Sequence, residues 1–377
     1  MRYYIISGEA SGDLHGSYLI KALRRHDPQA NIRCWGGDMM QAAGGEVVKH
    51  YRDLAFMGFA EVVKNLPTIF KNLKFCKQDI LSYQPDVVIL VDYPGFNMRI
   101  AKWAKTQNLK VVYYISPQVW AWKQGRVKTI KNVVDKMLVI LPFEKEFYEN
   151  WDYPVSYVGH PLADVVAEAE SAPQKPLQLE HADRFDNNKP TIALLPGSRG
   201  QEIRVKLPVM LAASRAFPQY NFVVAQAPSQ PVALYRELAT PYPNVSIAQP
   251  GQTYSLLRQS AAALVTSGTA TLETALFGVP QVVCYKGSPI SYQIAKRVVK
   301  VRFISLVNLI MDREVVKELI QREMTVDNVV EELRKIMEDE QAISRMKDDY
   351  RQLKEKLRQE QPAAEKAATE ILSFLKN

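Results

Sequence analysis

Four glycine-bearing loops carry the residues that could do chemistry. Ser7-Gly8-Glu9-Ala10-Ser11-Gly12-Asp13 follows an apolar run, and Gly8 and Gly12 allow a tight turn that leads into a helix. Free amides at a helix start favour an anionic or polar ligand. The spacing is not that of the dinucleotide fingerprint. Read as structure alone, the segment is a turn capped by Ser11 or Asp13. Glu9 favours the functional reading, because a carboxylate there lies at the carboxyl edge of the sheet. Asp92 in Leu90-Val91-Asp92-Tyr93-Pro94-Gly95-Phe96-Asn97 repeats the design at the end of the run DVVILV. It is either a helix cap or a base within reach of a substrate hydroxyl.

The other two loops lie in the second half. Leu195-Pro196-Gly197-Ser198-Arg199-Gly200 reads as an anion cradle in which the Arg199 fork grips a phosphate or diphosphate. The P-loop pattern is absent. Thr266-Ser267-Gly268-Thr269-Ala270-Thr271-Leu272-Glu273 frames another helix start. Glu273 there could hold both hydroxyls of a ribose or simply complement the helix dipole. Together these two loops favour nucleotide binding. Ser116-Pro117-Gln118-Val119-Trp120-Ala121-Trp122 offers Gln118 and Trp120 either to a sugar or to a core edge. His160 reads equally as a ligand contact and as a structural histidine.

The elements that must position these loops are strands and helices in alternation. Continuous apolar runs at Tyr3–Ser7, Ile32–Trp35, Val87–Asp92, Val111–Ser116 and Met137–Leu141 suit parallel strands covered on both faces. The pattern restarts at Thr191–Leu195, Phe222–Ala225, Ala262–Thr266 and Gln281–Tyr285. Two successive doubly wound α/β domains are expected: residues 1–165, a polar linker at 166–189, and residues 190–340. A charged helical tail over 341–377 packs on the first domain or on a partner subunit.

The length of 377 residues suits two domains, and 47% apolar with 23% charged residues excludes a mainly disordered chain. Cys34, Cys76 and Cys284 lie far apart and form no CxxC pair, so a disulfide framework and a cysteine zinc site are not expected. The five histidines show no ligand spacing, there is no DxD, and no metal or cofactor is expected. The net charge of +8 is compatible with phosphate, anionic lipid or nucleic acid and does not choose among them. An aromatic–basic RNA signature is absent, so nucleic acid is not the expected partner. No signal peptide is visible, and no apolar stretch reaches the roughly 20 residues that span a bilayer. In Phe56–Lys77, the residues Phe59, Val62, Leu66, Ile69, Phe70 and Leu73 are interleaved with lysines. That pattern fits either a core helix or an interfacial helix on anionic lipid.

Taken together, SGEASGDLHG, MGFAEVV, VDYPGFN, YYISPQVWAWKQGRV, LPFEKEFY, YVGHPL, LLPGSRGQEI, SGTATLE and SLVNLI closely resemble the lipid A disaccharide synthase family. The strings occur in order from Ser7 to about Gln321, while the linker and tail carry little of the match. The resemblance implies a GT-B architecture, with two Rossmann-like domains facing a cleft. It implies an inverting, metal-independent glycosyltransferase of lipopolysaccharide biosynthesis in Gram-negative bacteria. The family joins UDP-2,3-diacylglucosamine to 2,3-diacylglucosamine 1-phosphate (lipid X), giving a β-1,6 disaccharide 1-phosphate and UDP.

By that resemblance the second domain takes the UDP-sugar through Gly197, Ser198, Arg199, Gly200, Ser267, Gly268, Thr269 and Glu273. Asn308 in SLVNLI is a further matching position. The first domain takes the acceptor, with Gly8, Ser11, Asn97, Gln118 and Trp120 on that side. Asp92 matches the family's essential acid and is the first choice of base, ahead of Glu9 and, distantly, His15. Some relatives carry a second acid where this chain has Gly95, so that acid is not required here. Arg199 would stabilise the departing diphosphate. The acylated substrates imply a cytoplasmic protein resting on the inner face of the inner membrane, with Phe56–Lys77 docking it. A homodimer through the C-terminal part is left open. The rival readings are a UDP-N-acetylglucosamine 2-epimerase, the peptidoglycan-precursor transferase and a non-catalytic nucleotide-binding module.

Overall fold

A computed structural model describes residues 1–54, 66–288, 292 and 301–376. It divides into two compact units, Met1–Pro161 with Gln359–Asn377, and Leu162–Arg358.

The first unit is built on seven parallel strands: β1 (Arg2–Ile6), β2 (Asn31–Gly36), β3 (Glu46–His50), β4 (Val87–Val91), β5 (Val111–Tyr114), β6 (Lys136–Val139) and β7 (Ser156–Tyr157). Their order across the sheet is β3-β2-β1-β4-β5-β6-β7. β1 and β4 pair with Ile5 opposite Ile89. Both are buried on both faces, which is why they read as unbroken apolar runs. From this pair the chain winds outward in both directions, so the β1/β4 boundary is a topological switch point. Ligands bind at such a point, beyond the carboxyl ends of the strands.

The second unit repeats the plan with β8 (Leu179–Glu180), β9 (Thr191–Leu195), β10 (Asn221–Ala225), β11 (Val245–Ala248), β12 (Ser260–Thr266), β13 (Gln281–Tyr285) and β14 (Lys317–Ile320). The order is β14-β13-β12-β9-β10-β11-β8, and the switch lies between β9 and β12. Only β8 runs antiparallel, on the edge beside β11.

Two expectations about boundaries need correction. Residues 166–189 are not a loose linker. The helix Pro161–Ser171 runs into them, and β8 and a short turn of helix at Ala182–Arg184 follow. Leu177, Leu179 and Phe185 pack on the core of the second unit, and the Arg184 guanidinium donates to the carbonyls of Ala239 and Tyr242.

Nor does the tail act as one body. Helix Glu340–Leu357 stays with the second unit, where the Tyr350 hydroxyl accepts from the Gln281 amide at 3.2 Å. Helix Ala363–Lys376 belongs to the first unit and packs on helix Ala10–His26. Its buried Ala364, Ala367 and Ala368 allow a close approach. Glu365 pairs with Arg25 and His26, and Glu370 pairs with Lys136 at 2.6 Å.

Candidate active site

At the first switch point, the loops after β1 and β4 touch through a glycine. A Cβ on Gly8 would stand 2.4 Å from the Tyr93 ring, so no larger residue fits. Glu9 caps helix Ala10–His26 in an extended conformation and is half-buried, as is Ser11 two residues further on.

Asp92 and Tyr93 both take left-handed backbone angles, with φ of 45° and 50°. Such angles are costly for side chains of this kind and persist only where the surroundings impose them. Here the Asp92 amide donates to the Tyr114 carbonyl at 3.1 Å. Its carbonyl accepts from the Tyr113 hydroxyl at 2.6 Å and from the Asn97 amide at 2.7 Å. Helix Pro94–Thr106 then begins with proline at its first position, where the missing N–H costs nothing. The result is a carboxyl held in one place at the carboxyl edge. Burial, then the negative charge of Glu9, pushes its pKa up to about 6, and Glu144 adds a smaller push. A carboxylate of that basicity is suited to take a proton from a hydroxyl near neutral pH.

Glu144 was not singled out from the sequence, yet it organises this edge. It is 2% exposed and lies in the first turn of helix Pro142–Glu149. It accepts from Ser116 Oγ at 2.5 Å, Trp120 Nε1 at 3.2 Å, and the amides of Ile140 and Leu141 at 3.1 and 2.9 Å. Burial raises its pKa although all four donors oppose the rise. The Pro-Phe-Glu opening of the helix is capping-box spacing, and that was the available signal.

Two residues expected on the acceptor side carry bonds of the fold itself. Trp120 is buried, with its indole N–H committed to Glu144 and its ring edge-on to Phe143, so it offers no stacking face. Asn97 is wholly buried, and its amide also reaches the carbonyls of Ile6 and Val91 at 3.3 Å. Its nitrogen thus ties β1 to β4, while Oδ1 is buried without a hydrogen-bond partner among the described residues. Gln118 is exposed, as is Trp122, which carries Lys123 and Arg126 over its ring. His15 and His160 are both buried. Burial depresses their pKa values to about 4 and about 3, which leaves His15 a weaker base than Asp92.

The second switch point sets cations and acids around two glycine turns. Gly197 has φ of 111°, and a Cβ there would lie 2.6 Å from Glu202 Oε2. Ser198 and Arg199 are exposed, and Arg199 caps helix Gly200–Ala213, with its guanidinium 3.5 Å from Glu202. The Ser198 carbonyl accepts from Ser229 Oγ and Gln230 Nε2, both at 3.2 Å. Beside it, Gly268 has φ of 141° and caps helix Thr269–Leu276. Gly268 and Thr269 are exposed, and at this helix start the Thr271 amide donates to the Gly268 carbonyl at 3.2 Å, which leaves the amides before it to face an anion. Ser267 Oγ donates to the Ile304 carbonyl at 2.9 Å and keeps its lone pairs. Glu273, one turn in, accepts from the Tyr254 hydroxyl at 2.6 Å. Burial raises its pKa against that bond.

Asn308 does not join this group. It is wholly buried, and all its polar atoms are used. Nδ2 donates to the Val316 carbonyl and Glu318, and Oδ1 accepts from the amides of Val315 and Val316. Its role is to fix the turn before β14. A second residue not singled out, Lys206, is buried and faces Glu202, the acid that also reaches Arg199, and its signal was the spacing of four from Glu202.

The lysine-rich segment is also revised. Phe59 and Val62 lie outside the described residues, as does the side chain of Leu66. On helix Leu66–Tyr83, Leu73 is buried, and Ile69 packs on the core with it. The stripe 69, 73, 76, 80 faces the sheet at helical spacing. Phe70 is 64% exposed and Phe75 43% exposed, beside exposed Lys71 and Lys74. Among the described residues no helix is long and apolar enough to cross a membrane.

The family model described as lipid-A-disaccharide synthetase matches residues 3–372. The chain belongs to that family. A lipid-A-disaccharide synthase of Geobacter metallireducens is 40% identical over 361 residues, covering 94% of this chain and 93% of its own. One of Myxococcus xanthus is 40% identical over 343 residues, covering 89% and 88%. Among solved structures, a UDP-bound MnaA of S. aureus superposes with a TM-score of 0.69 at 12% identity, covering 100% of this chain and 97% of its own. The calicheamicin glycosyltransferase gives 0.62 at 17%, covering 100% and 98%. These likenesses establish the fold: GT-B, with two Rossmann-like units and a C-terminal helix. UDP-GlcNAc 2-epimerases share it, for example that of Neisseria meningitidis at 0.60 and 14%, covering the whole of both chains. Fold alone therefore does not separate transferase from epimerase, whereas family membership does, and it marks the chain as a hexosyltransferase.

Proposed function

We propose that this enzyme makes the lipid A disaccharide by inverting transfer from UDP-2,3-diacylglucosamine to 2,3-diacylglucosamine 1-phosphate. The acceptor 6-hydroxyl attacks the donor anomeric carbon from the face opposite the diphosphate. The new C–O bond forms as the bond to the diphosphate oxygen breaks, and UDP leaves with that electron pair. The hydroxyl proton passes to the Asp92 carboxylate. Arg199 and the amides of the two glycine-started helices meet the charge that grows on the diphosphate. Glu9 keeps the Asp92 carboxyl basic and helps to orient the acceptor.

The observation that carries this reading is Asp92: a carboxyl fixed by a strained backbone at the β1/β4 edge and made more basic by its surroundings. The test is UDP release with and without the acceptor, in EDTA, for wild type and Asp92→Asn. Expected are UDP and disaccharide only when the acceptor is present, and in the variant a kcat about 10²- to 10⁴-fold lower with UDP binding retained. Full activity in the variant removes Asp92 as base. Epimer formed without an acceptor would replace the reading with a 2-epimerase.

Acylated substrates must be met at a bilayer, and the exposed Phe70, Lys71, Lys74 and Phe75 supply apolar bulk beside positive charge. We infer that this face rests on the cytoplasmic side of the inner membrane. Vesicle flotation with anionic lipid should weaken in Phe70→Glu, and unchanged flotation would sink the idea.

A further inference from the structure

Lysine is almost never fully buried unless it is paired. Lys206 is 3% exposed, inside helix Gly200–Ala213, six residues after the helix begins. Its ammonium donates to Thr266 Oγ1 at 2.5 Å, lies 3.6 Å from Glu202, and stands 5.5 Å from the Tyr285 ring centroid. Thr266 ends β12 and Tyr285 ends β13, so one buried cation reaches the carboxyl ends of two neighbouring strands. Burial depresses its pKa, and the Glu202 charge is the largest effect opposing that.

A side chain that only filled this space would be cheaper as an apolar residue, because one partly exposed ion pair does not repay the desolvation of an ammonium. The partners suggest what the charge is for. Glu202 presses on Gly197 in the loop after β9 and also reaches Arg199 at 3.5 Å. Thr266 opens the loop after β12. Arg199, Glu202, Lys206 and Thr266 thus form one chain that links the two glycine loops. Without Lys206, Glu202 would put an uncompensated acid beside the anion cradle, and it would hold Arg199 to itself.

We propose that Lys206 is a positioning residue of the diphosphate subsite, which neutralises Glu202 from beneath and holds the two glycine loops in register. Arg199 can then turn from Glu202 to a phosphate without leaving a bare carboxylate behind. This rests on the reading that the second unit takes the UDP-sugar.

The test is calorimetric titration of the full chain with UDP and, separately, with uridine. In Lys206→Met the affinity for UDP should fall about 10- to 100-fold, the range for losing a charge-assisted contact, while uridine changes less than about threefold. Adding Glu202→Gln to Lys206→Met should restore most of the UDP affinity, which a merely structural lysine would not allow. Thr266→Val serves if the methionine variant does not fold, and there UDP should weaken several-fold with uridine unchanged. Equal UDP affinity in wild type and Lys206→Met overturns the proposal, and so does Thr266→Val binding UDP like wild type. Equal losses of UDP and uridine, or no rescue by Glu202→Gln, also overturn it and leave a packing role. A wild type that binds no UDP would instead fail the donor reading itself, and the inference with it.

Discussion

The two units share a plan and differ in charge. Each is a doubly wound sheet whose switch point lies between its first parallel strand and the strand that starts the return, β1/β4 in one and β9/β12 in the other. At the first edge stand Glu9, Asp92 and Glu144, with two buried neutral histidines. At the second stand Arg199 and Lys206, with Glu202 between them, Glu273, and open helix amides. The topology decides where a ligand can bind, and the side chains decide what it can be. An acidic, desolvated edge suits removal of a proton. An edge of glycine turns, open amides and an exposed arginine suits a leaving group that gathers negative charge.

The comparison breaks most sharply at Asp92, where activity and stability should move in opposite directions. Asp92→Asn removes the base, for the loss of turnover given above, and it also removes a buried charge. Its folded-state pKa is raised, from an ordinary value near 4 to about 6. The stability it contributes is therefore fully present below the ordinary value and is lost as pH rises through about 6. Above that pH, Asp92→Asn should be more stable than wild type by about 1–3 kcal/mol, and equal to it near pH 4. Urea denaturation at the two pH values checks this, and a variant less stable at pH 8 would deny that the site stores strain for function.

Next in size is Arg199→Met, expected to cut kcat by about 10²- to 10³-fold if the second edge stabilises departing charge. Steady-state kinetics with UDP-sugar would show it, and a change confined to KM would reduce Arg199 to ground-state binding. Glu144→Ala comes third. Four donors lose their acceptor, so thermal or urea unfolding should show a loss of about 2–4 kcal/mol, with UDP affinity in the other unit unchanged. A UDP affinity that also falls would show that the two edges are not independent. The mildest is the pH profile. Activity should rise about tenfold per pH unit below about 6 and level off above 7, because the base must be ionised. A limb near 4 would point to an unperturbed carboxylate.

Most of the central strands were legible. Nine apolar runs in the sequence correspond to β1, β2, β4, β5, β6, β9, β10, β12 and β13, because strands buried on both faces leave an unbroken apolar signal. The strands missed lie towards the sheet edges. β3 is half-buried and reads Glu-Val-Val-Lys-His, and β8 is two residues long. Short or half-covered strands do not concentrate apolar residues, so composition does not reveal them. The site loops were legible for the same reason as the central strands, since glycine and small residues after an apolar run mark a strand-to-helix turn. Leu73 shows the opposite case. Its segment fitted either a core helix or an interfacial one, and the structure divides the residues, with Leu73 buried and Phe70 exposed to solvent.

The sequence alone determined the alternation of strands and helices, the four loops, and the family that their motifs mark. Those follow from local rules: glycine where the backbone must turn tightly, apolar runs where both faces are covered, proline where a helix starts. The tertiary structure decided which polar side chains remain for a ligand. Trp120 and Asn308 look available in the sequence, yet their polar groups are spent on Glu144 and on a turn, and the Asn97 nitrogen is spent on strand-end carbonyls. It also decided that Asp92 is basic and that Lys206 is buried and faces Glu202. Burial and pairing depend on groups far apart in the chain, and no local pattern carries them.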